Sequence, residues 1–267
     1  MSILGWIGMG AIGTPMALRL LDAGHQLLVW GRTSARLTPA LERGARAVGS
    51  AAELAASCEA VMLCVTDTAA VESVAFGPDG IASGATPGLL IVDHSTIDPA
   101  HTRTLATRAR ERGWSWLDAP VSGGAAGARD GTLAILIGGD ASDVERARPW
   151  LGAYGKNVTH IGPSGAGQAA KSCNQAIFGT TLAAWIEVID YARAIGLDPV
   201  KLVAALEGSW SDSPVRRHLA THFARGRATS TGNDLLLKDL EIVAATAEAA
   251  GVELPVTERA ARKLRGE

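Results

Sequence analysis

The first 162 residues of this 267-residue chain alternate short apolar runs with amphipathic segments. Several of the runs are uninterrupted, as expected for parallel strands that are covered on both faces. The runs predict strands at Ile3–Ile7, Gln26–Trp30, Ala60–Val65, Leu89–Asp93, Ser115–Asp118, Leu133–Ile137 and Val158–Ile161. The amphipathic segments predict helices at Thr14–Ala23, Ala35–Arg43, Pro99–Arg112 and Ser142–Leu151. This alternation predicts an α/β fold with a doubly wound sheet.

The pattern becomes helical after Gly162-Pro163, with one long segment at Gly167–Ala194 and no convincing strand. Asp198-Pro199 suits the start of a further helix, because aspartate caps a first turn and proline is tolerated in it. We therefore expect two domains, with the sheet in residues 1–162 and a smaller all-α domain in residues 163–267.

Composition argues against several classes of protein. The 25 basic and 27 acidic residues give a net charge of −2, whereas nucleic-acid binding needs a basic face. No apolar run approaches the ~18 residues that a membrane-spanning helix needs. The three cysteines have no C-x-x-C spacing, so we expect neither a metal site nor a disulfide framework. These features predict a cytoplasmic protein.

A glycine-rich segment joins the first predicted strand to the first predicted helix. Gly8 suits a tight turn, Gly10 lets the backbone approach a pyrophosphate, and Gly13 lets helix and strand pack closely. Backbone N–H groups at the helix start can then bind phosphates, so the segment favours a dinucleotide-binding Rossmann domain over a plain turn. The candidate cofactor contacts are Gly8, Met9, Gly10, Ala11, Ile12 and Gly13.

The loop after the second predicted strand bears on which dinucleotide binds. An acidic residue about 20 positions past the glycines usually meets a free ribose 2′-hydroxyl, and this chain has none there. Arg32 can instead pair with a 2′-phosphate, with hydroxyl groups from Thr33 and Ser34 beside it. Arg36 in the same loop is a further candidate contact. We expect NADP (NADPH) rather than NAD, and a solvated basic loop is the alternative.

A second candidate loop follows the strand that ends at Asp118. Ser122, Gly123 and Gly124 offer consecutive N–H groups and a hydroxyl near a predicted helix start, which suits a small carboxylate. By composition alone, such a run is more often a flexible turn. Its place at the end of a strand favours the ligand-binding interpretation.

The long helix carries a lysine on an otherwise apolar stretch. Lys171, Asn174 and Phe178 share one helix face. The chain has only five lysines among its 25 basic residues, so this one is a candidate for amine chemistry. The alternative is a lysine that extends its ammonium group to water at a domain boundary.

Four blocks occur in order along the chain: Gly8–Gly13 with Met16-Ala17, Asp118–Gly131, Gly165–Asn174 and Lys238-Asp239-Leu240. With these blocks the chain resembles the β-hydroxyacid dehydrogenase (3-hydroxyisobutyrate dehydrogenase-like) family over nearly its whole length. The segment Gly31-Arg32-Thr33 is similar to that of the NADP-preferring members.

The resemblance implies roles for individual residues. Lys171 is implied as the catalytic acid/base, and Asn174 as a further contact with substrate. Ser122–Gly124 is implied to bind the substrate carboxylate, and Lys238 to lie near the nicotinamide end of the cofactor. Further cofactor contacts are implied at Val65, Thr66, Asp67, Ser95 and Thr96.

The implied function is an NADP-dependent oxidoreductase that interconverts a small 3-hydroxy acid and its semialdehyde by hydride transfer. Two alternatives stay open. One is an imine reductase on the same fold, whose members generally lack a lysine at the position of Lys171. The other is a non-catalytic NADP-binding module.

Three further expectations concern the helical domain. Trp210 either lines the substrate pocket or packs in the core. Family members usually continue well past Pro255, whereas 12 residues follow it here, so the resemblance leaves open how the site is closed on that side and how subunits pair. An apolar stripe serves either a homodimer or higher homo-oligomer or the domain core: Phe178, Leu182, Trp185 and Ile189.

Overall fold

The computed structural model describes residues 3–224 and 234–267. The chain forms two units, Met1–Lys171 (the N-terminal unit) and Ser172–Glu267 (the helical unit). The sequence pattern changes at residue 162, but the unit boundary falls in the second turn of the long helix. The reason is that the first turns of this helix pack against the sheet: a Cβ at Gly167 would lie 2.5 Å from the carbonyl oxygen of Leu136.

One mixed sheet organises the N-terminal unit. Its strands are β1 (Ile3–Ile7), β2 (Gln26–Trp30), β3 (Arg46–Ala47), β4 (Ala60–Leu63), β5 (Leu90–Asp93), β6 (Ser115–Asp118), β7 (Val121–Ser122), β8 (Leu133–Gly138) and β9 (Gly155–Gly162). The order is β3-β2-β1-β4-β5-β6-β8-β7, and β9 pairs with β8. The neighbours from β3 to β6 are parallel, whereas β8 runs antiparallel to β6 and β7.

Helices cover this sheet on both faces. They are α1 (Gly13–Asp22), α2 (Thr38–Leu41), α3 (Ala51–Ser57), α4 (Thr68–Phe76), α5 (Pro99–Arg110), α6 (Gly124–Asp130) and α7 (Ala141–Leu151). Along β4, Ala60 and Met62 belong to one buried cluster, and Val61 and Leu63 belong to another. Alternate residues therefore face opposite covered sides, which is why the strand is apolar throughout. The predicted Rossmann fold is confirmed.

Helices α3 and α4 were not among the predicted segments, and the bounds of strands such as β4 and β9 differ from the prediction. Three other differences are informative. The strands β3 and β7 were not predicted, because two residues are too few to show an alternating pattern. The predicted helix at Ala35–Arg43 is a 3₁₀ turn, Ser34–Leu37, followed by the short α2. The antiparallel direction of β8 also had no signal in the apolar pattern, because pattern reports burial and not strand direction.

The helical unit contains the rest of the described chain. Its helices are α8 (Ala166–Ala194, which begins in the N-terminal unit), α9 (Pro199–Ala205), α10 (Pro214–Ala224), α11 (Asp234–Ala249) and α12 (Pro255–Arg265). Asp198 caps α9, since its Oδ1 accepts a hydrogen bond from the Val200 N–H at 2.8 Å. Leu182, Trp185 and Ile189 are buried in the core of this unit. That stripe therefore packs in the core of the unit.

A buried histidine lies at the carboxyl end of β5. The Nδ1 of His94 is 2.7 Å from the Ala119 carbonyl oxygen, to which it donates, and its Nε2 is 2.9 Å from the Tyr154 hydroxyl, from which it accepts. The Trp6 ring stacks on it at a centroid distance of 6.0 Å. Burial lowers the pKa of His94 to about 4. The imidazole is therefore neutral in the folded protein at neutral pH.

We predict that this histidine makes folding pH-dependent. The unfolded state binds a proton at His94 below its ordinary pKa of about 6.5, and the folded state does so only near pH 4. The free energy of unfolding should therefore fall as pH falls through this window, by about 2 kcal/mol between about pH 7.5 and about pH 5. Urea unfolding of the wild type, of His94→Gln and of the control His25→Gln measures this difference. Equal slopes in His94→Gln and the wild type would contradict the prediction.

Candidate active site

The glycine-rich loop between β1 and α1 is built by two close approaches of the backbone. Gly8 has a φ of +106°, and a Cβ there would lie 2.1 Å from the Cys64 carbonyl oxygen. A Cβ at Gly13 would lie 2.0 Å from the Gly8 carbonyl oxygen. Both positions need glycine, because any side chain would overlap backbone atoms that do not move easily.

Gly10 has the opposite environment. A Cβ built there would meet no atom of residues 3–224 and 234–267 within 4 Å, so no packing contact in these ranges requires a glycine at this position. The Gly10 carbonyl oxygen accepts from the Thr14 N–H at 3.0 Å as the helix begins. A cavity of about 400 Å³ lies beside the loop and is lined by Met9, Gly10, Ala11, Thr14, Ala35, Arg36 and Pro39. Open space over a helix start suits the phosphates of a dinucleotide.

Two arginines flank this region from the loop after β2. Arg36 lines the cavity beside the glycine-rich loop. Arg32 lines a second cavity, of about 130 Å³, together with Trp30 and Val65. Both side chains are exposed, and neither guanidinium has an ion-pair partner within the part of the chain that the structure describes. Thr33 is exposed, and its carbonyl oxygen accepts from the Arg36 N–H at 3.0 Å.

The candidate cofactor-binding residues after β4 and β5 form hydrogen bonds that hold the backbone of these two loops. The Ser95 hydroxyl oxygen accepts from the Val65 N–H at 3.0 Å and so joins the two loops. Asp67 caps α4 by accepting from the Ala70 N–H at 2.8 Å, and the Thr66 hydroxyl donates to Asp67 Oδ2 at 2.8 Å. Thr96 is half-buried beside them. These bonds hold the Val65–Asp67 loop next to the Arg32 cavity.

Asp118, at the end of β6, binds the start of α8. Its Oδ1 accepts from the Gly165 N–H at 2.8 Å, and its Oδ2 accepts from the Gln168 N–H at 2.9 Å. Burial raises the pKa of Asp118, while these backbone hydrogen bonds act in the opposite direction. A carboxylate is favoured at a helix N-terminus, where free N–H groups point outward. Asp118 begins one of the four sequence blocks, but local sequence gave no signal of this capping role.

Lys171 lies one turn further along α8. Its side chain is only 6% exposed, and its Nζ donates to the Val121 carbonyl oxygen at 2.9 Å. The next residue in β7 is Ser122, which is half-buried. Gly123 and Gly124 follow it, are exposed, and have φ values of +128° and +61°. The structure therefore brings the candidate lysine and the candidate carboxylate loop to one place in the N-terminal unit.

Gln168 is a buried neighbour of the candidate site that was not predicted from the sequence. It is 1% exposed, its Nε2 donates to the Ser95 carbonyl oxygen at 2.7 Å, and its Oε1 accepts from the Ile97 N–H at 3.3 Å. It thereby ties the loop after β5 to the helix that carries Lys171. The sequence did contain one signal of this role, a glutamine in an apolar, glycine-rich helix start. A polar side chain in such surroundings is expected to be buried, and a buried amide needs hydrogen-bond partners.

The remaining candidates lie in the helical unit. Asn174 Nδ2 donates to Gln175 Oε1 at 2.9 Å, and Lys238 Nζ lies 3.0 Å from Asp239 Oδ1. Trp210 is fully exposed on the loop between α9 and α10, so it is not a core residue of this unit. Its contact with substrate stays a prediction.

Neither a metal-binding cluster nor a membrane-spanning helix is present in residues 3–224 and 234–267. No group of three or more His, Cys, Asp or Glu side chains in these ranges could hold a metal ion. None of the helices described there combines the length and apolar character needed to cross a membrane.

Two family models match successive parts of the chain. The model for the NAD binding domain of 6-phosphogluconate dehydrogenase matches residues 3–162. The model for the NAD-binding domain of NADP-dependent 3-hydroxyisobutyrate dehydrogenase matches residues 165–265. The 2-hydroxy-3-oxopropionate reductase of Escherichia coli (strain K12) is 40% identical over 260 residues, which cover 95% of this chain and 87% of that protein. The chain belongs to the β-hydroxyacid dehydrogenase family.

Solved structures agree with this assignment. A structure of Mycobacterium tuberculosis 3-hydroxyisobutyrate dehydrogenase with L-serine matches with a TM-score of 0.89 at 29% identity, covering 100% of this chain and 93% of that chain. A structure of Psf3 in complex with NADP+ and 2-OPP matches with a TM-score of 0.90 at 26% identity, covering 98% and 93%. The family consists of NAD(P)-dependent 3-hydroxyacid dehydrogenases, so the resemblance drawn from the sequence is confirmed.

We predict opposite effects for two substitutions in the glycine-rich loop. Gly10→Ala should leave stability unchanged, because its Cβ enters open space, but should weaken NAD(P)H binding about tenfold or more by obstructing phosphate contact. Gly13→Ala should destabilise the fold by about 1–3 kcal/mol, because its Cβ overlaps the Gly8 carbonyl. Urea unfolding and cofactor titration by fluorescence separate the two effects. Wild-type affinity in Gly10→Ala would contradict the assignment of this loop.

Proposed function

We propose that this chain is an NADP-dependent oxidoreductase that interconverts a small 3-hydroxy acid and its semialdehyde, with Lys171 as the general acid/base. The observation that carries the proposal is the buried Lys171 amine, 2.9 Å from the carbonyl oxygen of Val121. This bond holds a proton donor directly beside Ser122–Gly124, the loop that we assign to the substrate carboxylate.

The surroundings of Lys171 suit proton transfer. Lysine is a compact donor whose proton can leave when burial disfavours the charged amine, whereas arginine stays protonated. The side chain is nearly enclosed, so its position varies little. In the reductive direction Lys171 gives its proton to the substrate oxygen, and in the oxidative direction it takes the proton back. When bound, NADP(H) supplies or accepts the hydride.

Ser122–Gly124 fits the substrate's acid group. The two glycines are exposed and have positive φ values, which leaves their N–H groups free of side-chain cover. A carboxylate held there places the carbon skeleton of a short hydroxy acid within reach of Lys171. Family resemblance assigns Asn174 to the substrate and Lys238 to the nicotinamide end of the cofactor. Trp210 is a further candidate for the substrate pocket, and its full exposure leaves it available for such a contact.

The NADP preference rests on Arg32 and Arg36. Arg36 lines the cavity beside the glycine-rich loop, and Arg32 lines a second cavity with Val65, itself a candidate cofactor contact. A 2′-phosphate offers charged oxygens that a guanidinium binds through paired hydrogen bonds. The relative from Escherichia coli is named as a reductase of 2-hydroxy-3-oxopropionate, and this name supports a short hydroxylated semialdehyde and the reductive direction for this chain.

Replacement of the lysine tests the mechanism. Lys171→Met should lower kcat by about 10²–10⁴-fold while NADPH affinity stays unchanged, and Lys171→Arg should not restore turnover. The matched control is Lys156→Met, because Lys156 is an exposed lysine of β9. NADPH oxidation is followed with 2-hydroxy-3-oxopropionate, other semialdehydes and cyclic imines.

Each alternative function has its own outcome in that experiment. Imine reduction that survives in Lys171→Met would favour an imine reductase. NADPH binding by the wild type without turnover of any carbonyl compound would favour a non-catalytic NADP-binding module. Wild-type turnover by Lys171→Arg, with an unchanged pH profile, would remove the acid/base role.

Replacement of the two arginines tests the cofactor preference. Arg32→Ser and Arg36→Ser should each weaken NADPH binding by about 10–100-fold, because a hydrogen-bonded charge pair with the 2′-phosphate is lost. Affinity for NADH should change little. The control Arg43→Ser removes an exposed arginine that pairs with Asp22, and it should leave both affinities unchanged. Equal losses for NADPH and NADH would contradict the assignment.

We also propose a homodimer or higher homo-oligomer in the cytoplasm. One face of α8 carries the exposed apolar residues Ile177, Val188 and Tyr191, and the exposed Ile195 follows just past the end of the helix. A second copy would cover them. This face is distinct from the stripe that packs in the core. All three cysteines are free thiols, which fits a reducing compartment.

A further inference from the structure

We infer that Gln175 and Asp239 are positioning residues that orient Asn174 and Lys238 through one chain of hydrogen bonds. The inference rests on the proposed function, because it assumes that Asn174 and Lys238 act on substrate and cofactor. It concerns only the helical unit, in which all four residues lie.

The chain of bonds is continuous. Asn174 Nδ2 donates to Gln175 Oε1 at 2.9 Å, and Gln175 Nε2 donates to Asp239 Oδ2 at 2.6 Å. The other oxygen, Asp239 Oδ1, lies 3.0 Å from Lys238 Nζ. Two helices contribute two residues each, α8 the amides and α11 the ion pair. The two residues at the ends of this series of bonds, Asn174 and Lys238, are both candidate site residues.

The direction of these bonds is set by the carboxylate. An ionised aspartate only accepts hydrogen bonds, so Gln175 must turn its NH₂ group towards Asp239 and its oxygen towards Asn174. Asn174 must then turn its own NH₂ group towards Gln175. The orientation of the Asn174 amide, and hence which atoms it offers to a substrate hydroxyl or carbonyl, is therefore decided at Asp239.

Burial makes this control effective. Gln175 is 8% exposed and Asp239 is 9% exposed, so water competes little for their bonds. Inside a protein such bonds are stronger than in water, and a wrongly turned amide would leave a buried group unpaired. Asp239 Oδ1 also lies 3.0 Å from Lys238 Nζ, and this opposite charge offsets part of the cost of burying the carboxylate.

The helices approach closely where the chain of bonds crosses between them. Gly179 lies one turn beyond Gln175, and a Cβ built there would lie 2.9 Å from Leu240 Cδ2. The missing side chain lets α11 lie against α8 near Asp239. A short glutamine can then span the distance between the helices.

The competing explanation is that these residues only stabilise the packing of α8 against α11, which we call a helix-to-helix lock. A lock needs only the bond between Gln175 and Asp239, and it would act on stability alone. The hydrogen bonds continue to Asn174 on one side and to Lys238 on the other. This favours a role of Gln175 and Asp239 in positioning those two side chains. The two explanations differ in how strongly Gln175 controls the contribution of Asn174 to catalysis.

A mutant cycle in the full-length protein tests this difference. Asn174→Ala should lower kcat/KM for the best semialdehyde about tenfold in the wild type, the loss expected when a hydrogen bond to a charged or developing-charge group is removed. In the Gln175→Met background, Asn174 is no longer oriented, so the same change should cost less than about twofold. Asp239→Asn should lower kcat/KM about tenfold, and its combination with Gln175→Met should be no worse than either alone.

The matched control is Glu241→Gln, which neutralises an exposed acid on the same helix that pairs with Arg265 at 3.6 Å. It should leave kcat/KM unchanged. Urea unfolding of every variant confirms that the comparison is made on folded protein. An equal cost of Asn174→Ala with and without Gln175 would overturn the inference while the proposed function stands. A wild type without turnover of any carbonyl compound would overturn both.

Discussion

The position of the candidate catalytic lysine depends on the capping of α8 by the Asp118 carboxylate. Asp118 binds the N–H groups of Gly165 and Gln168, so the first turn of the helix is held at the end of β6. Gly138 makes room for this carboxylate, since a Cβ there would lie 2.6 Å from Asp118 Oδ1. Burial of a charge is costly, and free N–H groups at a helix start are among the few partners that offset it. Lys171 follows one turn later, at the Val121 carbonyl oxygen.

Buried glutamine side chains hold further segments that carry candidate residues for cofactor and substrate. The Gln168 side chain binds the Ser95 carbonyl oxygen, and the Ser95 hydroxyl binds the Val65 N–H beside the Arg32 cavity. The nucleotide loops and the lysine helix are thus held by the same small set of bonds. In the helical unit, Gln175 links Asn174 to Asp239 in a similar way. In both units a glutamine with enclosed polar atoms fixes the groups that we assign to ligands, because an unpaired buried amide is expensive.

Much of the fold and some of the candidate site could be predicted from local sequence. The strands Ile3–Ile7, Gln26–Trp30 and Ser115–Asp118 have the bounds that the pattern predicted, since burial on both faces requires continuous apolar runs. The glycine spacing predicted the loop, because Gly8 and Gly13 meet backbone that excludes a Cβ. By contrast, the two-residue strand β7 had no pattern, although it supplies the oxygen that Lys171 binds.

The sequence by itself determined the family, the Rossmann fold, the helical second half and the candidate lysine, because each depends on a local or ordered pattern of residue types. Tertiary structure alone decided that the Phe178–Ile189 stripe packs in a core and that Trp210 is exposed. It also decided that Asp118, Gln168 and Gln175 form buried hydrogen bonds in the segments that carry candidate site residues. These features depend on pairs such as Gln175 and Asp239, which are 64 positions apart. No local periodicity records such a pair, because a buried hydrogen bond is chosen by three-dimensional proximity and not by spacing along the chain.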